Sequence, residues 1–319
     1  MVEVMATDLG YSATKVAVQG ELFSFPSAVA VKPEMGGIAG EIECYSFGGV
    51  PYLVGKEALL FSPNAVGGKS ADTSVAYGPL FIAKAVNEAR KRLGKEWKLS
   101  VLVVSVAVNE FHKKITVPLP EGGELTGEKA KLLEKRLKSF KVNGEEFTFD
   151  EVVVLPQGRG IWVDVGKPDD ALIVDIGFNT TDILRVQEGR IIYATGVNIG
   201  VMNLANYLKD ILSAQGVEIT TEKAERAIRE GKVRIKGSLV PLEEIVPIKT
   251  LKNLLIGRVF GIIEENRNLA DALTELGEII VAGGGGYYVP EDYKGYKIVV
   301  PEKPEYSNVR GFLKLVEEE

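Results

Sequence analysis

Residues 171–184 read ALIVDIGFNTTDIL, and this stretch decides the fold. Its first half is an apolar run, largely of β-branched residues, that ends in Asp175, which is typical of a buried strand. A turn with Gly177 and small polar side chains follows, and apolar residues resume at Ile183. The pattern predicts a strand, a tight turn and a second strand.

The N-terminal region has the same pattern. Residues 2–18 read VEVMATDLGYSATKVAV, in which an apolar strand ends in Asp8 and the turn contains Gly10. Glycine with short hydroxyl residues lets a phosphate approach the N–H groups of such a turn. One copy alone is more often a plain tight turn, whereas two copies at matching points of two halves favour a function. Because ligands prefer clefts between domains, we expect Asp8 and Asp175 to approach one ligand from opposite sides.

Helical patterns lie between the predicted strands. Apolar residues at helical spacing predict helices from Tyr77 to Leu93 and from Val201 to Leu212. A charged amphipathic segment predicts another from Thr126 to Leu137, with Thr126 as its N-cap. Strands that alternate with helices, each half beginning with a meander, predict an α/β fold with mixed sheets flanked by helices.

The length of 319 residues suits two domains of roughly 150 residues each. We expect the first domain over residues 1–165 and the second over residues 166–305. Residues 306–319 are expected to form a C-terminal helix that packs back on the first domain.

Composition argues against several classes of protein. The net charge of −6 argues against general affinity for nucleic-acid phosphates or anionic membranes. One cysteine and one histidine provide neither an internal disulfide nor a Cys/His metal site. No apolar run is long enough to span a bilayer. We therefore expect a cytoplasmic protein with no direct nucleic-acid or membrane contact.

Several polar residues have the chemistry of a phosphate site. Mg²⁺ usually keeps several waters while one or two carboxylates orient it, and Asp8 and Asp175 at strand ends suit that role. Lys15 on the returning strand either directs its ammonium at a β- or γ-phosphate or is a solvated strand residue. Gln157 follows a strand and precedes a glycine, so it is either a turn residue or the amide that orients an attacking water.

A run of four glycines follows the strand predicted from Glu278 to Ala282. Gly283–Gly286 leave bare backbone on which a flat base and ribose can lie, unless they form a flexible loop. Lys223 and Arg226, three residues apart on a predicted helix, either close over a nucleotide or belong to a solvated helix face.

Seven short motifs occur in order along nearly the whole chain. They are DLGYSATK (8–15), FPS (25–27), YLVGKEA (52–58), VLPQG (154–158), DIGFNTTD (175–182), TGVNIG (195–200) and AGGGG (282–286). Five of them, DLGYSATK, VLPQG, DIGFNTTD, TGVNIG and AGGGG, resemble in turn the first phosphate loop, the first connecting segment, the second phosphate loop, the second connecting segment and the adenosine loop of the actin, heat-shock chaperone and sugar-kinase superfamily, and FPS and YLVGKEA add to the same resemblance. Within it the chain is most similar to prokaryotic and archaeal actin-like proteins of the ParM/StbA type.

The resemblance implies two actin-like, ribonuclease H-like domains with an interdomain cleft for ATP or ADP and Mg²⁺. It implies that Asp8 and Asp175 hold the metal through water and that Gln157 positions the attacking water. The expected nucleotide contacts are Gly10, Tyr11, Ser12, Lys15, Gly177, Phe178, Asn179, Thr180, Gly196, Lys223, Arg226, Gly283, Gly284, Gly285, Gly286 and Tyr287. Tyr11 and Phe178 depart from the family's pattern because both are bulky for a phosphate loop.

The resemblance favours an ATPase that adds head to tail into a filament, whose contacts weaken on hydrolysis. An open heterologous interface gives filaments rather than closed rings. A role in plasmid or DNA segregation would add a DNA-bound adaptor protein as partner. A small-molecule kinase is the first alternative, but it needs a carboxylate base where Gln157 offers an amide. A non-polymerising nucleotide-binding scaffold is the second alternative.

Overall fold

The computed structural model describes residues 3–34, 42–62, 66–67, 72–94 and 97–317. The chain divides into two units by its internal contacts. One unit comprises Met1–Asp164 with Asn308–Glu319, and the other comprises Val165–Ser307. None of the described helices is long and apolar enough to cross a membrane.

The first unit contains both sheets and helices. Its strands are β1 (Val4–Leu9), β2 (Ala13–Val18), β3 (Glu21–Pro26), β4 (Ala28–Val31), β5 (Tyr45–Phe47), β6 (Val50–Val54), β7 (Val66–Gly67), β8 (Val101–Val106), β9 (Lys114–Pro118), β10 (Glu124–Glu128), β11 (Ser139–Val142), β12 (Glu145–Thr148) and β13 (Glu151–Pro156). Its helices up to this point are α1 (Lys56–Phe61), α2 (Thr73–Leu93), α3 (Val108–Phe111), α4 (Lys129–Lys138) and α5 (Arg159–Asp164).

The main sheet of the first unit has the strand order β13-β8-β1-β2-β3. Strands β1 to β3 form an antiparallel meander, and β8 lies parallel to both β1 and β13. Every residue of the central strand β8 is buried, which fits its run of β-branched side chains. The strand-turn-strand predicted from residues 2–18 is therefore confirmed, with β1 ending one residue after Asp8.

Helix α2 covers this sheet's core, and its predicted end at Leu93 is confirmed. Gly94 adopts a positive φ of 114°, and its N–H donates to the Arg90 carbonyl. The helix begins at Thr73, one turn earlier than the pattern from Tyr77 predicted. Smaller sheets complete the unit: a four-stranded sheet of order β5-β6-β4-β7 and the hairpins β9-β10 and β11-β12.

The prediction of Thr126 as a helix N-cap is wrong. Thr126 lies in β10 and pairs with Thr116 of β9 in an antiparallel hairpin. Strand β9 alternates exposed and buried residues, and Gly122 and Gly123 supply the positive φ angles of the connecting turn. Helix α4 begins only after this pairing ends, at Lys129, with Glu128 as its N-cap.

The second unit repeats the alternation. Its strands are β14 (Ala171–Ile176), β15 (Thr181–Gln187), β16 (Arg190–Val197), β17 (Lys232–Ile235), β18 (Ser238–Pro241), β19 (Glu278–Ala282), β20 (Asp292–Tyr293) and β21 (Tyr296–Val299). Its helices are α6 (Val201–Ala214), α7 (Thr221–Glu230), α8 (Ile248–Glu265) and α9 (Arg267–Glu275), with short 3₁₀ helices at Leu242–Glu244, Gly284–Tyr288 and Pro304–Tyr306.

The sheet of the second unit has the order β16-β15-β14-β19-β21-β20. Strands β14 to β16 form an antiparallel meander, and β19 is parallel to both β14 and β21. The first five strands therefore have the order and directions of the main sheet of the first unit. This internal repeat confirms the mixed-sheet α/β fold predicted from the two copies of the motif.

The closing helix α10 (Ser307–Glu317) belongs to the first unit from Asn308 onwards and lies directly against α5. A Cβ atom at Gly311 would lie 1.7 Å from the Gly160 carbonyl oxygen, so the two backbones touch at this crossing. Arg310 donates to both oxygens of Asp164, at 3.1 and 2.6 Å, and Lys314 approaches the same carboxylate at 3.0 Å. Glycine packing and ion pairing therefore fix α10 to α5.

Gly311→Ala should destabilise the protein, because the added methyl group has no space beside the Gly160 carbonyl. Overpacking of this kind costs roughly 1–3 kcal/mol or more, so the free energy of unfolding in urea should fall by about 3 kcal/mol. Gly261→Ala in α8 is the matched control, since nothing lies within 4 Å of its added Cβ. That variant should gain up to about 1 kcal/mol from helix propensity. Equal effects of the two substitutions would contradict the close crossing.

Candidate functional site

Asp8 accepts hydrogen bonds from three side chains, which lie on β2, on β8 and directly after β13. The Lys15 ammonium of β2 donates to Oδ2 at 2.7 Å, and the Ser105 hydroxyl of β8 donates to Oδ1 at 2.9 Å. The Gln157 amide, which directly follows β13, donates to the same Oδ1 at 2.6 Å. Asp8 is only 3% exposed, so these donors stabilise a buried carboxylate.

The first turn lies between Asp8 and Lys15, which form a cross-strand pair of β1 and β2. A Cβ at Gly10 would lie 2.8 Å from the Ala13 carbonyl oxygen and 3.0 Å from the Lys15 ammonium, so this turn requires glycine. The Ser27 N–H donates to the Ser12 carbonyl. The FPS motif at the end of β3 thus supports the first turn. Tyr11, which belongs to this turn, is partly buried.

Gln157 is positioned by backbone contacts on both sides. Its own N–H donates to the Val106 carbonyl at the end of β8. The next residue, Gly158, has φ of 83°, and its N–H donates to the Asn308 side chain of α10. The structure therefore brings three sequence-predicted residues, Asp8, Lys15 and Gln157, together in the first unit.

Asp175 holds the equivalent place in the second unit. It is 6% exposed and pairs directly with Asp182 across β14 and β15, and Asp182 in turn pairs with Gly196 of β16. The Lys15 position of the first unit is thus occupied by an acid here. Two buried carboxylates that face each other across antiparallel strands favour a donor or a cation between them.

The second turn caps a helix. The Gly177 N–H donates to the Thr180 carbonyl, which closes the turn. The Gly177 and Phe178 carbonyls accept from the first N–H groups of α6, and a Cβ at Gly200 would lie 2.4 Å from the Phe178 oxygen. The Phe178 side chain packs against the core of the second unit, which explains how a bulky residue fits this loop.

Asn179 leaves a polar atom without a partner in this turn. Its side-chain oxygen Oδ1 is buried and has no hydrogen-bond partner in the part of the chain that the structure describes. A buried acceptor without a donor is costly, at about 1–3 kcal/mol, unless a ligand or water supplies the donor. The turn therefore has an acceptor that suits a bound, water-coordinated cation.

The glycine run lies against β14, the strand that precedes the second turn. A Cβ at Gly283 would meet Asp175 Oδ1 at 2.3 Å, and one at Gly285 would meet the Ile176 side chain at 2.2 Å. Gly283 also has φ of 77°. Gly284 is open, with nothing within 4 Å of an added Cβ. The run is therefore packed on one side and bare at Gly284, whereas Gly286 packs against Pro304.

A cavity of about 470 Å³ lies beside this run within the second unit. Its lining combines apolar side chains with charged and aromatic ones: Leu204, Ile228, Arg229, Ile248, Leu251, Lys252, Tyr287, Tyr288 and Glu305. The Tyr287 hydroxyl donates to Glu305 at 2.7 Å. Burial, together with the Glu225 carboxylate, raises the pKa of the Tyr288 hydroxyl, which stays protonated.

Of the sequence-predicted residues, Tyr287 lines this cavity, whereas Lys223 and Arg226 lie on the exposed face of α7. Arg229, one turn further along α7, and Lys252 of α8 supply the positive charges there. Sequence reasoning did not identify these two residues or Glu305, because they are far apart in the chain and carry no local motif.

A second, smaller cavity of about 40 Å³ lies in the first unit beside Gly10 and Gln157. Its wall includes a buried ion pair between Glu110 and Lys129, 3.1 Å apart, which sequence reasoning also missed. Burial acts to raise the pKa of the Glu110 carboxyl, but Lys129 and Lys113 outweigh it and hold that pKa below 4.5. Glu110 is therefore ionised at neutral pH.

Family comparisons cover most of the chain. Residues 6–160 match the family described as "Actin like proteins N terminal domain". Residues 173–295 match "Archaeal actin homologue MreB-like, C-terminal". No curated protein matches the chain in sequence.

Solved structures with the same fold are similar over their full length. Native Ta0583, an archaeal actin homologue, has a TM-score of 0.76 and 22% identity, covering 100% of both chains. A 15-stranded ParM filament from Clostridium botulinum has a TM-score of 0.70 and 19% identity, covering 100% of this chain and 99% of the other. MreB5 of Spiroplasma citri bound to ADP has a TM-score of 0.66 and 15% identity, covering 100% and 97%.

The Glu110–Lys129 pair should make stability depend on pH. Because the folded-state pKa of Glu110 is lowered, its stabilisation is complete above the ordinary value of 4.5 and is lost as pH falls through the lower folded value. Glu110→Gln should cost roughly 3–5 kcal/mol at pH 7, since Lys129 then stays buried without its partner. Urea unfolding should show this gap from wild type shrinking below about pH 4.5.

Glu145→Gln provides the control for that titration. Glu145 pairs with Arg90 at an exposed position, where an ion pair contributes at most about 1 kcal/mol. A gap that is equally small in both variants, or that does not change with pH in Glu110→Gln, would contradict a stabilising buried pair.

Proposed function

Because this chain belongs to the actin-like proteins, with their N-terminal domain and an archaeal MreB-like C-terminal domain, we propose that it is an ATPase that assembles into filaments. The observation that carries the proposal is the set of contacts at Asp8. A buried carboxylate, a lysine ammonium and a glutamine amide converge there beside a glycine turn. These are the groups that phosphoryl hydrolysis uses to neutralise charge and orient water.

The residues present suit Mg²⁺, which prefers oxygen ligands and keeps several of its waters. Asp8 and Asp175 each end a buried strand, and the Asn179 oxygen is buried without a donor. We assign Asp8 and Asp175 to hold the ion through its waters. When bound, the ion would neutralise phosphate charge and so favour departure of the ADP leaving group.

Lys15 and the two turns bind the phosphates in this proposal. Lys15 is part-buried at Asp8, so its ammonium is held near the first turn rather than moving freely in solvent. The Gly177 N–H donates within its own turn, so phosphate donors in the second turn come from its other residues. Gly10 makes the tight first turn possible, because a Cβ there would lie 2.8 Å from the Ala13 carbonyl oxygen.

Gln157 orients the attacking water. An amide both donates and accepts, so it can align a water molecule without removing its proton. In the structure the amide nitrogen is held by Asp8 at 2.6 Å, and its backbone is held by Val106. Rotation of the side chain away from Asp8 then brings the amide to the water while its backbone remains fixed.

The base and ribose lie against the glycine run in the second unit. Gly284 leaves the backbone bare, and the adjacent cavity of about 470 Å³ falls within the usual range for small-molecule sites, about 300–1,000 Å³. Arg229 and Lys252 at its wall offer positive charge, and Tyr287 offers an aromatic face. Lys223 and Arg226 remain candidates for closing over a bound nucleotide.

The state of the carboxylate in the wall of the first unit's cavity argues against a small-molecule kinase. A kinase needs a base that accepts the proton of a hydroxyl group. Glu110 lies in that cavity wall, but both of its oxygens are bound by lysines, at 3.0 and 3.1 Å. Its lowered pKa makes it a weak base. The site therefore favours hydrolysis over transfer to a second substrate.

Assembly into filaments is supported by the similarity of the fold to solved structures that include a ParM filament. Subunits that add head to tail use two different surfaces, which gives an open polymer. A DNA-bound adaptor would be the partner if the filament moves DNA. A non-polymerising scaffold would bind ATP without forming such a polymer.

Purified protein with Mg-ATP should scatter more light, release phosphate and form filaments visible by negative-stain microscopy. Asp175→Ala should abolish phosphate release because it removes a metal-holding carboxylate. Glu278→Ala, an exposed acid in the same sheet, is the control and should hydrolyse ATP at the wild-type rate. No filaments at high protein concentration would contradict the polymer, and wild-type turnover in Asp175→Ala would contradict the metal assignment.

Gln157→Ala should bind ATP and polymerise but hydrolyse it about 100-fold more slowly, since positioned acid–base and water-orienting groups contribute about 10²–10⁴-fold. Phosphate release and light scattering measured on the same sample separate the two effects. Gln215→Ala, an exposed glutamine after α6, is the matched control. Unchanged phosphate release would remove Gln157 from the mechanism.

A further inference from the structure

Ser105 is a buried hydroxyl in a strand that is otherwise apolar. Strand β8 reads VLVVSV, all its residues are buried, and Ser105 is 1% exposed. Burying a hydroxyl costs free energy unless it makes a hydrogen bond. The Ser105 hydroxyl donates to Asp8 Oδ1, so the polar side chain of this strand binds the carboxylate of the candidate site.

The second unit shows that the fold itself does not require this hydroxyl. In the first sheet Asp8 pairs with Ser105 of the parallel neighbouring strand. In the second sheet Asp175 pairs in the same way with Ala282. Because strand order and directions are the same in both sheets, Ala282 occupies the place of Ser105. An alanine suffices there for packing.

Ser105 and Gln157 share one acceptor atom. Both donate to Oδ1 of Asp8, whereas Lys15 donates to Oδ2. In the strand register, Ser105 of β8 lies between Asp8 of β1 and Leu155 of β13. Leu155 is two residues before Gln157. If Gln157 turns towards a water molecule, Oδ1 loses the amide donor but keeps the Ser105 donor. The carboxylate then keeps its orientation.

We infer that Ser105 is a positioning residue for ATP hydrolysis, which holds the Asp8 carboxylate in place and thereby sets the position from which Gln157 acts. This role rests on the proposed function. Ser105 contacts Asp8 and not the reacting atoms, so its removal affects the rate more than nucleotide binding. Threonine keeps the hydroxyl and adds only a methyl group.

Ser105→Ala should lower kcat for ATP hydrolysis roughly 10- to 100-fold, the range for losing one hydrogen bond to a charged group, while KM changes by less than about threefold. Ser105→Thr should restore most of the rate. Thr7→Val is the matched control, because Thr7 is a fully buried hydroxyl of β1 that donates to the Val103 carbonyl and not to Asp8. That control should lose stability but keep kcat.

A double-mutant cycle tests whether Ser105 acts through Gln157. If it does, Ser105→Ala should slow the Gln157→Ala variant far less than it slows wild type. The inference would be overturned if the two rate losses multiply in the double variant, if kcat is unchanged in Ser105→Ala, or if Thr7→Val loses as much kcat as Ser105→Ala. If Ser105→Ala does not fold, Ser105→Cys, which keeps a weak donor of similar size, should give an intermediate rate, and a wild-type rate there would count against the role.

An NMR measurement separates this inference from the proposed function. The side-chain NH₂ signals of Gln157, identified by their absence in Gln157→Ala, should shift in nucleotide-free Ser105→Ala and stay in place in Thr7→Val. If wild type hydrolyses no ATP, the proposed function fails, and the shift still decides whether Ser105 sets the Asp8–Gln157 contact. An unchanged signal would overturn the positioning role.

Discussion

The buried carboxylate of Asp8 is the constraint on which the first unit depends. A carboxylate that is 3% exposed needs hydrogen-bond donors, and they arrive from β2, β8 and the end of β13. This is possible only because β8 lies between β1 and β13, with β2 on the other side of β1. Residues that are neighbours of Asp8 in sequence could not supply all of these donors. The site therefore depends on the parallel pairing of β8 with β1 and β13. The short helix after β13 and its contact with α10 then hold the end of that strand in place.

The sequence predicted those parts of the structure that depend on local pattern. Apolar runs that end in an acid, followed by a glycine turn, gave both strand pairs, and Gln157 was singled out because it follows a buried strand. The hydroxyl of Ser105 was visible as the interruption of an apolar run. Its partner was not, because the pairing of β1 with β8 joins residues almost a hundred positions apart. Pattern cannot give the register of such a pair.

Other features failed for related reasons. Residues around Thr126 are compatible with both a helix start and a strand, and the pairing of β9 with β10 decided between them. Helical spacing identified Lys223 and Arg226, but the direction in which α7 packs puts Arg229 at the cavity. Phe178 is unsuited to a phosphate loop if the loop is considered alone. Packing against the second unit's core accounts for it. In each case tertiary packing, not propensity, made the choice.

The two sheets have the same strand order but different chemistry. Asp8 faces a lysine on its antiparallel neighbour, whereas Asp175 faces Asp182. The Asp8 carboxylate is thus neutralised within its own unit, whereas the equivalent pair in the second unit consists of two acids. The two copies of the strand pattern therefore have the same backbone arrangement but different side chains at equivalent positions.

The return of α10 to α5 has a consequence for biosynthesis. Residues of the first unit are made first, but Gly311 and Arg310 contact Gly160 and Asp164 only after the whole second unit has been synthesised. The second unit is one uninterrupted segment and has all of its own strands before α10 leaves the ribosome. Translation at about 5–20 residues per second therefore delays the last contacts of the first unit behind the second. The contacts of the first unit with α10 therefore form after the second unit has been synthesised, and only then does Gln157 gain its support from Asn308 through Gly158.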